Sequence, residues 1–290
     1  MPSLTSPAAW PVEPPLFLVV AAAALYWLGG RRRVSARRGE LGSRARAACF
    51  YLGLAVVAGA LDSPLDPLAE RLFAAHMLQH VLLLSVAPVL VLLGAPWGRV
   101  WQPLPLGLRR RTARAVAYSR GARPLRAAAG GVSRPAVAWL LFNADLVAWH
   151  VPALYDATLR SRAAHDLEHA LFFCTALVFW ACVLDSPPLR ARLDWLRRAV
   201  FVTSGLAVGW VLAIVLAFSP SPLYEAYASL PSRPGGLSAL GDQQIAAGVM
   251  WVPGSLVYSV AFLFFLYRWL EPASAGRRPP GRRPGPAGGT

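Results

Sequence analysis

Apolar residues fall in seven long blocks separated by short polar or basic stretches, over residues 14–29, 47–61, 73–93, 135–151, 167–184, 199–218 and 243–270. A bilayer core about 30 Å thick asks for roughly 20 mainly apolar residues in helical form, with about 17–25 tolerated. Each block is near that length, and a helix satisfies its own backbone N–H and C=O groups where no water reaches them. The pattern therefore predicts an all-α integral membrane protein, a bundle of about seven transmembrane helices. The first block does not read as a cleavable signal, because Arg31, Arg32 and Arg33 follow its apolar run instead of preceding it. Residues 1–271 read as one transmembrane domain. The tail over 272–290 is Gly, Pro and Arg and is expected to be disordered and cytoplasmic.

Composition agrees with this picture: 56% of the 290 residues are hydrophobic and the mean hydropathy is +0.45. The net charge of +15 does not point to nucleic acid, since the basic residues alternate with apolar blocks instead of covering a soluble face. All 29 basic residues are arginine, so a retinal-type Schiff base, which needs a lysine amine, is excluded. Arginines cluster after the first, third, fifth and seventh blocks, and only Arg71, Arg160, Arg162 and Arg233 fall on the opposite side. By the positive-inside rule the N-terminus is expected outside and the C-terminus cytoplasmic. A basic stretch over 106–120 is expected to lie along the anionic inner leaflet. Cys49, Cys174 and Cys182 lie in apolar runs without C-x-x-C spacing and read as small buried hydrophobes.

That topology places all five histidines near the outer face. His76 and His80 open the third block, His150 closes the fourth, and His165 and His169 open the fifth. Each pair is spaced i, i+4, which puts both imidazoles on one helix face, and imidazole suits copper, zinc, iron or nickel. The last block opens with Asp242, Gln243 and Gln244, and Met250 follows two turns deeper. A thioether there favours Cu(I), and Met77 beside His76 is a further thioether candidate. The plain alternative is that the histidines are interfacial residues bonded to water or backbone. Asp145, with Asn143 nearby, must face the bundle interior or be protonated, as a relay or as an interhelical hydrogen bond. Gly205 and Gly209 form a G-x-x-x-G pattern, most simply a close helix contact.

Three other readings compete. His165 to His169 spells H-x-x-E-H, an inverted zinc-peptidase pattern with Glu168 as general base, unless Asp166 and Glu168 simply face outer solvent at a helix start. Histidines on facing helices also suit a haem. A copper transporter would use Asp145 as part of its pathway, but no inverted repeat is visible.

With these segments laid out, the chain resembles the multispanning CtaG family of cytochrome c oxidase assembly factors. The resemblance covers roughly residues 65–269 and is carried by HMLQHVLLLSVAPVLVLLGAP from His76, WHVPALYDATL from Trp149, HDLEHALFF from His165 and DQQIAAGVMWVPG from Asp242. It implies a non-enzymatic helper in the maturation of a haem-copper oxidase in the bacterial plasma membrane, handling copper and meeting oxidase subunits as partners. The family's outer histidines map onto His76, His80, His165 and His169, and its last-helix motif onto Asp242, Gln243 and Met250. The expected metal set is thus His76, His80, His165 and His169, with His150, Asp242 and Met250 as further candidate ligands and Cu(I) as the ion.

Overall fold

The computed structural model describes residues 14–31 and 42–271, and residues 32–41 of the first arginine cluster and the tail over 272–290 lie outside them. Among the described residues there is no β-strand, only an isolated bridge between Ser186 and Leu189. Helices occupy all seven predicted blocks. They are α1 (Pro14–Arg31), α2 (Ser43–Leu61), α3 (Phe73–Leu93), then the basic surface helix α4 (Leu106–Tyr118), α5 (Pro135–Trp149) with its continuation α6 (Pro152–Arg160), α7 (Arg162–Ala181), α8 (Trp195–Phe218) and α9 (Ala239–Leu270).

Of these, α2, α3, α8 and α9 are long and apolar enough to cross a membrane, and α5 with α6 makes a fifth if that pair, bent by 72°, is one span. The count of seven is not reached on length and composition. Helix α1 is a shorter apolar helix, and the first turns of α7 carry Arg162, His165, Asp166, Glu168 and His169. Helix α4 buries none of its residues, as the sequence pattern required of a surface-lying element.

Helix α3 is not a plain α-helix. Its middle, Leu82–Val86, is a π-turn, and Pro88 explains why the ladder opens there. Proline has no N–H to give the carbonyl four residues back, and its ring crowds that carbonyl. The freed oxygen, on Leu84, accepts instead from the indole Nε1–H of Trp180 on α7 at 3.0 Å. The π-turn thus ties α3 to α7 one turn below His80. Pro253 removes the corresponding bond to Val249 in α9.

The core lies where α3, α5, α7, α8 and α9 meet, around Phe142, Phe172, Phe179, Trp180 and Tyr258. The most extensive helix pairing is α8 with α9. Gly205 supports the predicted close approach, since a Cβ there would sit 2.8 Å from Cζ of Phe179; Gly209 meets nothing within 4 Å. Helices α2 and α3 pack through Gly94, where a Cβ would come 2.6 Å from Cβ of Phe50. Gly94→Ala should lower the thermal midpoint in detergent, with about 1–3 kcal/mol of overpacking strain; an unchanged midpoint would show that this contact yields freely.

Candidate metal centre

Asp242 is where the site begins, as a helix cap. Helix α3 opens at Leu72, which offers no side-chain cap, and the Asp242 carboxylate from α9 supplies one. Its Oδ2 accepts from the N–H of Phe73 at 2.8 Å and its Oδ1 from that of Ala74 at 3.0 Å, with the residue fully buried. A carboxylate at a helix N-terminus satisfies orphan donors and favours the positive end of the dipole. Each oxygen thus holds one donor of the first turn of α3, and Asp242 is not among the residues whose ligand atoms converge with the histidines. Gln243 does similar work for the end of α8, accepting from the N–H of Leu223 at 2.8 Å and donating to the carbonyl of Leu216 at 3.0 Å. Asp242→Ala should cost about 0.5–2 kcal/mol as a lost cap, read as a lower thermal midpoint; an unchanged midpoint would remove the capping role.

With α3 anchored, His76 and His80 project from successive turns toward α7. The ligand atoms of His76, His80, Glu168 and His169 all lie within 4.8 Å of one another. Donors around a four-coordinate ion with bonds near 2.1 Å sit about 3.4 Å apart. Two pairs are already at that spacing: His76 Nε2 to Glu168 Oε2 at 3.5 Å and His80 Nε2 to Glu168 Oε1 at 3.5 Å. All four residues are buried, from 0 to 4% exposed.

Tyr227 Oη donates to the carbonyl of Ala69, and a phenol has a single proton. The 3.1 Å contact between His76 Nδ1 and Tyr227 Oη must then carry the imidazole's proton. His76 Nε2 is left as a bare lone pair facing a carboxylate oxygen, and neither oxygen of Glu168 accepts a hydrogen bond from the described residues. Two electron-pair carriers face each other in a water-free site. That arrangement is repulsive unless a cation, a proton or a metal ion, sits between them.

Glu168 corrects the sequence expectation. It neither faces solvent nor borders a substrate cleft but is fully buried at the centre of the cluster. A signal was present in helical phase: Phe172, Ala176 and Phe179 form the buried stripe of α7, and Glu168 is one turn before Phe172 on the same stripe. Tyr227 had no comparable signal, because it lies in the connection between α8 and α9.

The remaining candidates lie around this group. His165 is outside it, its ring 5.2 Å from that of His76 and 4.1 Å from that of His169. With its side chain 12% exposed, His165 lines a vestibule of about 130 Å³ together with Glu70, Arg162 and His76. His150 sits at the bend between α5 and α6 with its ring 6.3 Å from that of His80. Met77 and Met250 line a separate cavity with His80 and His150. Asp145 accepts from Thr175 on α7 at 2.9 Å, which is the interhelical hydrogen bond among its two expected roles. Tyr224, in the loop above the site, is buried, and burial pushes its phenol pKa up.

The described residues form an all-helical fold in which four or five helices long and apolar enough to cross a membrane surround a buried histidine–carboxylate cluster, the build of a helical membrane protein. Residues 24–272 match the family model described as cytochrome c oxidase caa3 assembly factor, Caa3_CtaG, and the chain belongs to that family. It is also 22% identical over 233 residues to an uncharacterised protein of Mycobacterium bovis and 20% identical over 239 residues to one of Mycobacterium leprae. Both alignments cover 80% of this chain but 35% of the relative, so the chain spans about a third of the length of the curated relatives it matches. No solved structure matches.

Proposed function

We propose that this chain is a multi-pass protein of the bacterial plasma membrane that assists assembly of a haem-copper cytochrome c oxidase by holding copper in the cluster of His76, His80, Glu168 and His169. The observation that carries the reading is the pair of 3.5 Å approaches between histidine Nε2 atoms and a buried carboxylate that accepts no hydrogen bond from the described residues. A proton alone would relieve one such approach. Three imidazoles and a carboxylate with converging ligand atoms suit a metal ion better, and this donor set is at home with a divalent ion of the copper or zinc type. The seven-span arrangement with the N-terminus outside and the cluster toward the outer face belongs to the same proposal, supported by the arginine distribution. Copper then reaches the cluster through the vestibule at His165, and an oxidase subunit is the partner that receives it.

The test is complementation. A strain lacking the gene should lose cytochrome c oxidase activity, the intact chain should restore it, and His76→Ala/His80→Ala should fail to do so at equal membrane abundance. Full restoration by that variant would sink the copper-holding role. A zinc-peptidase role for the H-x-x-E-H segment is not favoured, because Glu168 is fully buried against the histidines on α3, where no substrate peptide reaches it.

A further inference from the structure

Met77, His80, His150 and Met250 come from three separate elements, two on α3, one at the bend after α5 and one on α9, yet all line one cavity of about 60 Å³ beside the cluster. The rest of its wall includes Leu84, Phe142, Leu146 and Tyr258. The chain has three methionines in all, and the two beyond Met1 both reach this cavity.

His150 is set up to offer a lone pair there. Its Nδ1 lies 2.7 Å from the carbonyl oxygen of Leu146. A carbonyl accepts only, so Nδ1 carries the proton and Nε2 is the bare nitrogen. That nitrogen is buried and has no hydrogen-bond partner among the described residues. Fixing the tautomer through a backbone carbonyl is how proteins orient imidazoles that bind metals. The bend at His150, which interrupts the α5–α6 helix pair, is what turns the ring toward α3. On the opposite side, Pro253 opens the hydrogen-bond ladder of α9 beside Met250.

We infer that this cavity is a second metal site, a soft one that takes Cu(I) on His150 Nε2 and the thioether sulfurs of Met77 and Met250, with His80 as the wall shared with the Glu168 cluster. Thioether sulfur and imidazole select Cu(I) among biological cations. The absence of a carboxylate from the lining works in the same direction, because the cost of a dehydrated ion grows with the square of its charge, and a divalent ion here would have no anion to offset it. The Glu168 cluster has the complementary chemistry, so the two neighbouring pockets differ in the charge and softness of the ion they hold. The assignment rests on the copper reading given above and names the oxidation state and residues of a site beyond it.

The experiment uses the detergent-purified full chain with the outer cluster first loaded with Zn(II), then titrated anaerobically with Cu(I) against a Cu(I)-selective chelator and examined by copper X-ray absorption. Wild type should retain zinc and take up one further equivalent of Cu(I) with sulfur in its coordination shell. Met77→Leu/Met250→Leu, a volume-conserving change, should lose that equivalent and keep zinc, while Glu168→Gln should lose zinc and keep the sulfur-ligated Cu(I). Zinc uptake by wild type with no sulfur-ligated Cu(I), or an undiminished Cu(I) equivalent in the double methionine variant, overturns the second site and leaves the outer one standing. Failure of wild type to bind either ion overturns both.

Discussion

Glu168→Gln should raise the thermal midpoint of the metal-free protein while abolishing the further rise that a bound divalent ion produces. The two effects have opposite signs and a common origin. In the metal-free state Glu168 is a fully buried carboxylate whose oxygens accept no hydrogen bond from the described residues and lie 3.5 Å from His76 and His80. A buried carboxylate whose neighbours give it no proton is an unpaired charge, and a neutral amide of the same shape avoids that desolvation cost. Glutamine adds an N–H donor where the histidine lone pairs have none, so the metal-free protein should gain. With metal present, the variant lacks the anion that makes the cluster a site. Affinity should fall by more than the ~10–100-fold that loss of a supporting residue causes. A ligand at 100 times its dissociation constant stabilises by about 2.7 kcal/mol, and that increment should disappear. Differential scanning fluorimetry with and without metal reads both. A metal-free midpoint that drops markedly would mean that the carboxylate is held by partners other than the histidines.

The second large effect is expected from Tyr227→Phe. Tyr227 touches no part of the proposed ion, but its hydroxyl fixes the tautomer of His76 by donating to the carbonyl of Ala69 and accepting from His76 Nδ1. Phenylalanine keeps the ring in its tilted contacts with Phe73 and Tyr155 and removes both hydrogen bonds. A buried group left unpaired costs about 1–3 kcal/mol, so the midpoint should fall. Metal affinity should fall by ~10–100-fold, as for other residues that orient a ligating histidine. A variant that loses stability but binds metal with unchanged affinity would show that Nε2 of His76 does not need Tyr227 to present its lone pair.

The helices were legible from the spacing of apolar residues, because a hydrophobic block leaves a polypeptide few alternatives to a helix. Their passage through a membrane was less so. The polar residues that build the site occupy the first turns of α7, and those same residues lower its hydropathy below that of α8 or α9. The i, i+4 histidine pairs placed His76 with His80 and His165 with His169, but spacing along one helix cannot say which neighbouring helix faces it. The structure brings His169 and Glu168 to the first pair and leaves His165 at the vestibule. Asp242 shows the reverse problem. Its position in a motif beside Met250 suggested a ligand, whereas the unsatisfied N–H groups at the start of α3, distant by more than 160 residues, use both of its oxygens. Such long-range caps leave no trace in local sequence.

The most direct test of the central claim is the copper content of the detergent-purified chain after loading, comparing wild type with His80→Ala/His169→Ala. One site shared between α3 and α7 predicts stoichiometric copper in wild type and its loss from the cluster in the variant, with Zn(II) no longer retained either. Wild type without bound copper, or a variant that holds copper and zinc as tightly as wild type, would contradict the account.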